Sequence, residues 1–333
     1  MYKFPDNKKF AFTIVDDTDD AYLENIQPIY DLLKKNNIYT TKTVWVYPVR
    51  DSQYSKGDSL NRPEYADFIS KLKRSGYEIG LHNIGSGEFV REEIRDGLEV
   101  YKNTLLEYPK MHINHSYNPD NIYSGIKRFS FPFNFIVGKL YSQYSNFSGE
   151  IPSSKHFWGD IHKKIIKYSR NYEIDDINTT RHSTFMPYKD SQYDEYANYW
   201  FSSTFCPNQW MFNHVVNRKS IDKLESEGGI CILYTHLGYY MVDGEIDKGF
   251  KEAIEYLGSK QTGWYAPASN ILDFLITHKN ENNIGEYIPI FSKKILEFKS
   301  LWTRVKYRYF LKIDDYHFKK SESYDHRVNS INK

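Results

Sequence analysis

The first 115 residues alternate between short apolar runs and segments with helical periodicity, and this alternation constrains the fold more than any other feature. Apolar, β-branched runs typical of strands occupy 9–15, 43–47, 77–81 and 111–115. Three segments with apolar residues at helical spacing separate them. A regular succession of strand and helix predicts parallel strands joined by crossover helices, which is an α/β fold. In such folds the functional side chains lie at the carboxyl ends of the strands.

Composition and charge argue against several classes of protein. The chain has 333 residues, a formal net charge of +1 and two cysteines, Cys206 and Cys231. A balanced charge gives no support for binding nucleic acid, and two cysteines without metal-type spacing argue against a disulfide framework. The sequence shows no apolar signal-peptide core near its start and no apolar run of about 18 residues that could cross a membrane. We therefore expect a cytoplasmic protein.

The pattern of strands and helices is interrupted once before it resumes. Residues 118–219 are rich in aromatic and polar side chains, and we interpret them as an insertion that shapes access to the substrate site. An apolar strand at 229–234 then restores the alternation. We therefore expect one catalytic unit over 1–289 and a separate extension over 290–333, disordered at its end.

The extension at 290–333 interleaves basic and aromatic side chains. Two interpretations remain open. The segment is either a basic amphipathic element that contacts an anionic membrane surface, at the inner membrane, or a final helix that packs on the domain with a solvated basic face.

Acidic and histidine side chains stand at four predicted strand ends: Asp16 and Asp17, His82, His115, and His236. Adjacent carboxylates at a buried strand end repel each other, so a cation or a proton must hold one of them. One metal ligand and one base is the natural division. The alternative is an acidic turn or helix cap, because further acids at 19 and 20 precede a helix.

The histidines at strand ends favour a hydrolytic metal site. One Asp and two His around a metal, with open positions left, is a pattern of metal-dependent hydrolases. His112 and His115 are three residues apart, so in an extended segment they face opposite sides, and His115 lies nearer the strand end. A single histidine of this kind could equally be a structural hydrogen-bonding residue.

These residues resemble the motifs of the polysaccharide deacetylase family (the NodB-homology, carbohydrate esterase type). The run Ala11–Asp17 resembles the first motif, a strand ending in Asp-Asp, and Leu81-His82 resembles the second. Leu233–His236 resembles the last motif, an apolar strand ending in a histidine. The resemblance implies a distorted (β/α) barrel of about seven strands. It also implies roles: Asp16 as base, Asp17 and His82 as metal ligands, and His236 as acid.

The sequence departs from the family pattern at two places. The second metal-binding histidine of the second motif is replaced by Ser86, and the arginine of the third motif is absent. We infer that His115, in the run Asn114–Tyr117 at the place of the third motif, supplies the third metal ligand. A backbone N–H near Ser116 or Tyr117 would then stabilise the oxyanion. This variant pattern resembles a subgroup linked to O-antigen and other surface-polysaccharide assembly.

The resemblance implies an enzyme that removes an N-acetyl group from a sugar or glycan with the help of a divalent metal. Zinc is the first expectation, and nickel, cobalt or iron suit the same ligands. Arg181 and Trp264 are candidate substrate contacts, although a surface ion pair and a core position are their ordinary alternatives. Other functions stay open: a degenerate, non-catalytic carbohydrate-binding protein, a glycoside hydrolase, or a metal-dependent amidase for a non-sugar substrate.

Overall fold

Seven parallel strands close into a barrel. The computed structural model describes residues 2–50, 55–140 and 146–311. The strands are β1 Phe10–Asp16, β2 Thr41–Val44, β3 Glu78–Leu81, β4 Met111–His112, β5 Tyr168–Ile174, β6 Tyr199–Phe205 and β7 Ile230–Thr235. Each strand pairs in parallel with the next in the chain, and β1 pairs with both β2 and β7, so the sheet closes on itself. The predicted (β/α) barrel of about seven strands is therefore confirmed.

Helices surround the barrel and connect its strands. They are α1 Leu23–Lys35, α2 Pro63–Arg74, α3 Arg91–Leu105, α4 Phe133–Leu140, α5 Gly159–Ile165, α6 Thr179–His182, α7 Gln209–Val215, α8 Arg218–Glu227, α9 Lys248–Ser259, α10 Ala268–Glu281 and α11 Ile290–Val305. Three short strands complete the structure: β8 Met241–Val242 and β9 Glu245–Ile246 form a hairpin, and β10 Gly263–Trp264 pairs with the start of β1. Among the described residues, no helix has the length and apolarity needed to cross a bilayer.

Strand β1 shows how the sequence specifies this architecture. All seven of its residues are buried, because one face of the strand lines the barrel interior and the other lies under the helices. Helix α1 supplies the cover with an apolar stripe of helical spacing: Ile26, Ile29, Tyr30 and Leu33 are each at most 1% exposed. Side chains that alternate along the strand and apolar residues at helical spacing along α1 thus allow both elements to pack against one core.

The predicted insertion at 118–219 contains two of the barrel strands, β5 and β6. The sequence of β5, Tyr-Ser-Arg-Asn-Tyr-Glu-Ile, does not alternate between apolar and polar residues, which conceals a buried strand. Arg170 and Glu173 are charged, yet both are buried and paired with opposite charges. The strand is missed because ion pairs with residues elsewhere in the chain offset the cost of burying its charged side chains, and these partners are not visible in the local sequence.

The described part of the C-terminal extension is a helix packed on the barrel. Buried side chains of α11 face β5, and the fully buried Glu297 accepts hydrogen bonds from the backbone N–H and the hydroxyl of Ser130, both 2.7 Å long. Residues 312–333, where the sequence predicts a disordered end, lie outside the described residues.

Candidate metal centre

Strand alternation separates the two adjacent carboxylates, Asp16 and Asp17. Asp16 is fully buried on the helix-facing side of β1. Its Oδ2 lies 3.0 Å from Nζ of Lys42 and accepts a hydrogen bond of 2.9 Å from Tyr30 of α1. Its Oδ1 accepts a hydrogen bond of 2.8 Å from the backbone N–H of Leu237. Burial raises the pKa of Asp16, and Lys42 opposes this effect.

These contacts do not fit the role of base that the family resemblance gave to Asp16. Lys42 is the cross-strand neighbour of Asp16 on β2, and both side chains are 0% exposed. Every contact that the structure gives Asp16 is structural. The carboxylate ties β1 to β2, to α1 and to the turn after β7.

Asp17 faces the barrel interior and meets an arginine from the opposite wall. Arg170 of β5 donates from both terminal nitrogens to the two carboxylate oxygens of Asp17, at 3.0 and 2.6 Å. Both side chains are at most 8% exposed, and the guanidinium lies 4.0 Å from the ring centroid of Tyr234. Both oxygens of Asp17 are thus directed at Arg170, and the ligand atoms that converge nearby belong to other side chains.

A third acid, Asp19, joins two of the predicted histidines. Nε2 of His82 lies 3.2 Å from Oδ2 of Asp19 and 3.0 Å from Nδ1 of His115, and this Nδ1 lies 3.5 Å from Oδ1 of Asp19. The three ligand atoms lie within 4.8 Å of one another. Ligands bound tetrahedrally to zinc at roughly 2.1 Å are about 3.4 Å apart, so the spacing fits one metal ion.

The charge of the cluster also suits a cation. Burial alone would raise the pKa of Asp19, but His115, His82 and His236 outweigh it and hold this pKa well below the usual range. Burial lowers the pKa of His115 to about 4. A neutral imidazole presents a lone pair, and lone pairs and a carboxylate that converge at this distance repel each other unless a cation or a proton lies between them.

Hydroxyl and amide groups orient His115. Its Nε2 lies 3.0 Å from the hydroxyl of Ser55 and 3.1 Å from that of Ser86, while its backbone N–H donates to Oδ1 of Asn83 at 2.8 Å. The other ring nitrogen is thereby directed to the cluster, and a partner on the far side of a ligating imidazole fixes its tautomer. Ser86, at the position of the missing family histidine, thus supports His115. The ring of Trp45 contacts His115 at 5.2 Å between centroids.

His236 stands at the edge of the same cluster. Its Nδ1 lies 2.7 Å from the carbonyl oxygen of Pro207, so this nitrogen donates and leaves Nε2 directed towards Asp19 at 3.6 Å. The side chain is 15% exposed, as is that of Asp19. His236 therefore lies where the cluster meets solvent.

Three further residues singled out in the sequence lie close to His115 in the chain. Ser116 and Tyr117 form a turn directly after His115, and Tyr117 has a left-handed backbone with φ of 65°. His112 does not enter the cluster, because its Nε2 lies 3.3 Å from Asn83 and its ring packs against Trp158.

Arg181 and Trp264 lie away from the cluster. Arg181 pairs with Asp176 and with Glu227, and Glu227 closely precedes the amino end of β7, whereas His236 follows its carboxyl end. Trp264 of β10 pairs in register with Ala11 near the amino end of β1, and its ring contacts Phe274. The ordinary alternatives, an ion pair and an apolar packing position, describe both residues.

Sequence reasoning missed three residues of the site. Asp19 is named above only within the alternative of an acidic turn or helix cap. The spacing Asp17-Thr18-Asp19 could have indicated a metal ligand, but spacing alone does not distinguish a ligand from a cap. Arg170 had no local signal, because its strand was not recognised. Asn83, fully buried with φ of 47°, follows His82 and donates to Asp120 at 2.6 Å.

Comparisons with known proteins give similar structures but no similar sequences. No protein-family model matches the chain, and no curated protein is similar to it. A protein from Mycobacterium smegmatis described as a polysaccharide deacetylase shares 12% identity, with 86% of this chain and 96% of the other covered and a TM-score of 0.45. The PuuE allantoinase shares 12% identity over 85% and 94% of the two chains, with a TM-score of 0.47.

The peptidoglycan deacetylase PdaC of Bacillus subtilis, in a mutant form, shares 13% identity over 84% and 97% of the two chains, with a TM-score of 0.37. With identities of 12–13% and TM-scores below 0.5, these likenesses do not assign the chain to a family.

Proposed function

We propose that this protein is a metal-dependent hydrolase that removes an N-acetyl group from a sugar. Asp19, His82 and His115 would hold one divalent ion, of which zinc suits the donor set and spacing best. When bound, the ion would supply Lewis-acid chemistry, lowering the pKa of water and polarising a carbonyl oxygen. The proposal rests on one observation above all: a carboxylate and two imidazoles approach one another to 3.0–3.5 Å between ligand atoms, at the carboxyl ends of the barrel strands.

Asp17 is our candidate for the base. It lies two residues before Asp19, faces the interior and contributes to the electrostatic environment of His115. Arg170 donates to both of its oxygens, which holds the carboxylate in one orientation. Asp17 would accept a proton from the attacking water, the role that the family resemblance gave to Asp16.

His236 is our candidate for the acid. Its Nδ1–H is held by the carbonyl oxygen of Pro207, so a proton taken up at Nε2 would be presented to the cluster. Donation of this proton to the leaving amine would complete cleavage of the amide. The turn at Ser116 and Tyr117, beside His115, could place a backbone N–H near the developing oxyanion.

We further propose that the chain is a divergent member of the polysaccharide deacetylase family that acts in the assembly of a surface polysaccharide such as an O-antigen. The support is the set of strand-end motifs: an Asp-rich end to β1, His82 after β3 and His236 after β7. Ser86 does not weaken this proposal, because its contact with His115 suits a site in which His115 replaces the missing histidine.

Metal content and turnover of matched variants would test the assignment. We expect about one transition-metal ion per wild-type chain by elemental analysis, lost in Asp19→Asn and retained in the neighbouring control Asp20→Asn. Asp17→Asn should keep its metal and lose release of acetate from N-acetylated oligosaccharides. Loss of metal in Asp17→Asn with retention in Asp19→Asn would instead favour Asp17 as the metal ligand, the role that the family resemblance implies. A wild-type protein that binds no metal would refute the proposed centre.

A further inference from the structure

Helix α11 turns an apolar stripe to solvent. Residues 291, 295, 298, 302 and 305 repeat at spacings of four, three, four and three, which places them on one helix face. All are apolar, and their exposed fractions are 76% for Phe291, 39% for Ile295, 56% for Phe298, 49% for Trp302 and 38% for Val305. Tyr309 and Phe310 extend the apolar surface beyond the helix at 61% and 67% exposure. The opposite face of α11 is the one that packs on β5.

Helix α4 and the turn before it enlarge this surface. Phe131, Phe135 and Ile136 are 71%, 57% and 46% exposed. The hydrogen bonds from Ser130 to Glu297 join the two regions, and Val137 of α4 and Leu296 of α11 share one apolar cluster. The exposed side chains of α4 and α11 therefore lie on adjoining elements, and an exposed apolar patch of this kind marks an interaction site.

Positive charge accompanies the apolar surface. Residues 290–311 contain six Lys or Arg, of which Lys293, Arg304 and Lys306 pair with acids of other elements, and a single acid, Glu297, which is fully buried. Lys294 and Arg308 lie next to the stripe, and Lys139 of α4 lies over the ring of Phe135 at 4.5 Å. The solvent-facing side of this region thus combines aromatic rings with basic groups.

We propose that this surface, formed by the stripe of α11 and the exposed residues of α4, docks the protein on an anionic lipid bilayer. An amphipathic helix with Trp and Phe on one face and basic residues at its sides lies in the plane of a membrane interface. Amphipathic rings such as those of Trp302 and Tyr309 suit the headgroup region. Basic residues are attracted by the negative surface potential of anionic lipids.

Two other occupants fit the surface less well. Residues 312–333 contain nine charged side chains, five of them basic, so this segment offers no excess of negative charge to a basic surface. A second copy of the chain would bring the same cluster of positive charges against itself across a two-fold interface. Charge complementarity favours the bilayer.

Docking would also orient the catalytic end of the barrel. Lys306 lies 2.5 Å from Asp175, just beyond the carboxyl end of β5, and Asn208 donates to the hydroxyl of Tyr307 at 3.0 Å. Asn208 follows Pro207, the residue that holds His236. The chain directly after α11 therefore lies close to the segment that holds His236. A substrate carried on a lipid would reach the site from this side, a consequence that rests on the function proposed above, whereas the docking itself does not.

Vesicle co-sedimentation of the full chain would test the docking. The probes are vesicles of phosphatidylglycerol with phosphatidylethanolamine and, for comparison, vesicles of phosphatidylcholine alone. We expect the wild type to bind the anionic vesicles and to release in high salt. The triple variant Phe291→Ser/Phe298→Ser/Trp302→Ser should bind at least about tenfold more weakly. The double variant Lys294→Glu/Arg308→Glu should lose the salt-dependent part of the binding to anionic vesicles.

Matched controls come from exposed residues elsewhere. Leu106→Ser removes an apolar side chain that is 87% exposed, and Lys248→Glu reverses a charge that is 91% exposed, and neither should affect binding. Circular dichroism and thermal unfolding would establish that each variant is folded, and bound metal would report on the barrel separately. The proposal would be overturned if the wild type did not co-sediment with anionic vesicles, or if the triple variant bound them as well as the wild type. A wild-type dimer that the triple variant converts to a monomer would also overturn it, because this result would assign the surface to a second copy.

Discussion

The hydroxyl of Ser86 lies 3.1 Å from Nε2 of His115. In the function proposed above, Ser86 stands where the family pattern has a histidine, and His115 supplies the ligand in its place. The contact would then let the serine help to orient this ligand.

This contact predicts a loss of metal affinity when the hydroxyl groups are removed. Ser86→Ala should weaken metal binding, and Ser55→Ala/Ser86→Ala should weaken it by about tenfold or more, because partners of a ligating imidazole typically contribute that much. Competition with a chromophoric chelator would measure the dissociation constant. Ser154→Ala, which removes a hydroxyl from the pair with Ser148 elsewhere, is the matched control. An unchanged constant in the double variant would rule out this role.

Arg170 is expected to act on turnover and not on metal binding. Arg170→Gln should lower kcat by roughly 10²-fold, because the base at Asp17 loses the group that orients it, while the bound metal stays near one per chain. Free guanidinium added at low concentration should restore part of the activity of Arg170→Ala. Arg91→Gln, which removes a bidentate pair with Asp160 on the surface, should leave kcat unchanged. A normal kcat in Arg170→Gln would remove Asp17 from the proposed mechanism.

The buried pair of Asp16 and Lys42 should govern stability. Lys42→Met leaves the Asp16 carboxylate buried without its ion-pair partner, and we expect the free energy of unfolding to fall by about 3–5 kcal/mol. Asp16→Asn/Lys42→Met should recover most of this loss, since no charge is then buried alone. Denaturant unfolding measures both. Asp16→Asn alone should keep its metal and most of its kcat well below its melting temperature, in contrast to Asp17→Asn.

Asp120 predicts a dependence of stability on pH. Burial raises the pKa of Asp120 to about 7 from the ordinary value of 3.8, despite the hydrogen bond from Asn83. Because the folded-state pKa is the higher one, the protonated group favours folding, fully below about pH 4, and this contribution is lost as the pH rises through 7. A shift of this size corresponds to about 4 kcal/mol at most. Unfolding of wild type and Asp120→Asn between pH 4 and 8 should show a slope that the variant lacks over part of this range.

The alternation of β1, β2, β3 and β7 with amphipathic helices was sufficient to predict a parallel α/β fold, and the family resemblance implied its closure into a barrel of about seven strands. The sequence also placed His82, His115 and His236 at strand ends, where a barrel brings them together. The hydrophobic pattern of β5 failed to show a strand, because Arg170 and Glu173 are neutralised by partners that only the closed barrel brings near them.

The roles of the acids in the run 16–20 could not be predicted, for a geometric reason. Side chains alternate between the two faces of a strand, so Asp16 points to α1 and Asp17 points to the interior. The chain leaves the strand after Asp16, and only the course of the following turn decides that Asp19 reaches the histidines. No spacing rule in the sequence specifies that course.

Glu173 gives the C-terminal helix a share in the electrostatics of the barrel interior. Its carboxylate lies 2.9 Å from Arg128 and 3.0 Å from Arg304 of α11, and 3.9 Å from Nε of Arg170, the partner of Asp17. A chain truncated at residue 289 would lack Arg304, which is linked to the proposed base through Glu173 and Arg170. It would also expose the apolar side chains that α11 covers. We therefore expect a chain that ends at residue 289 to be less stable than one that includes α11.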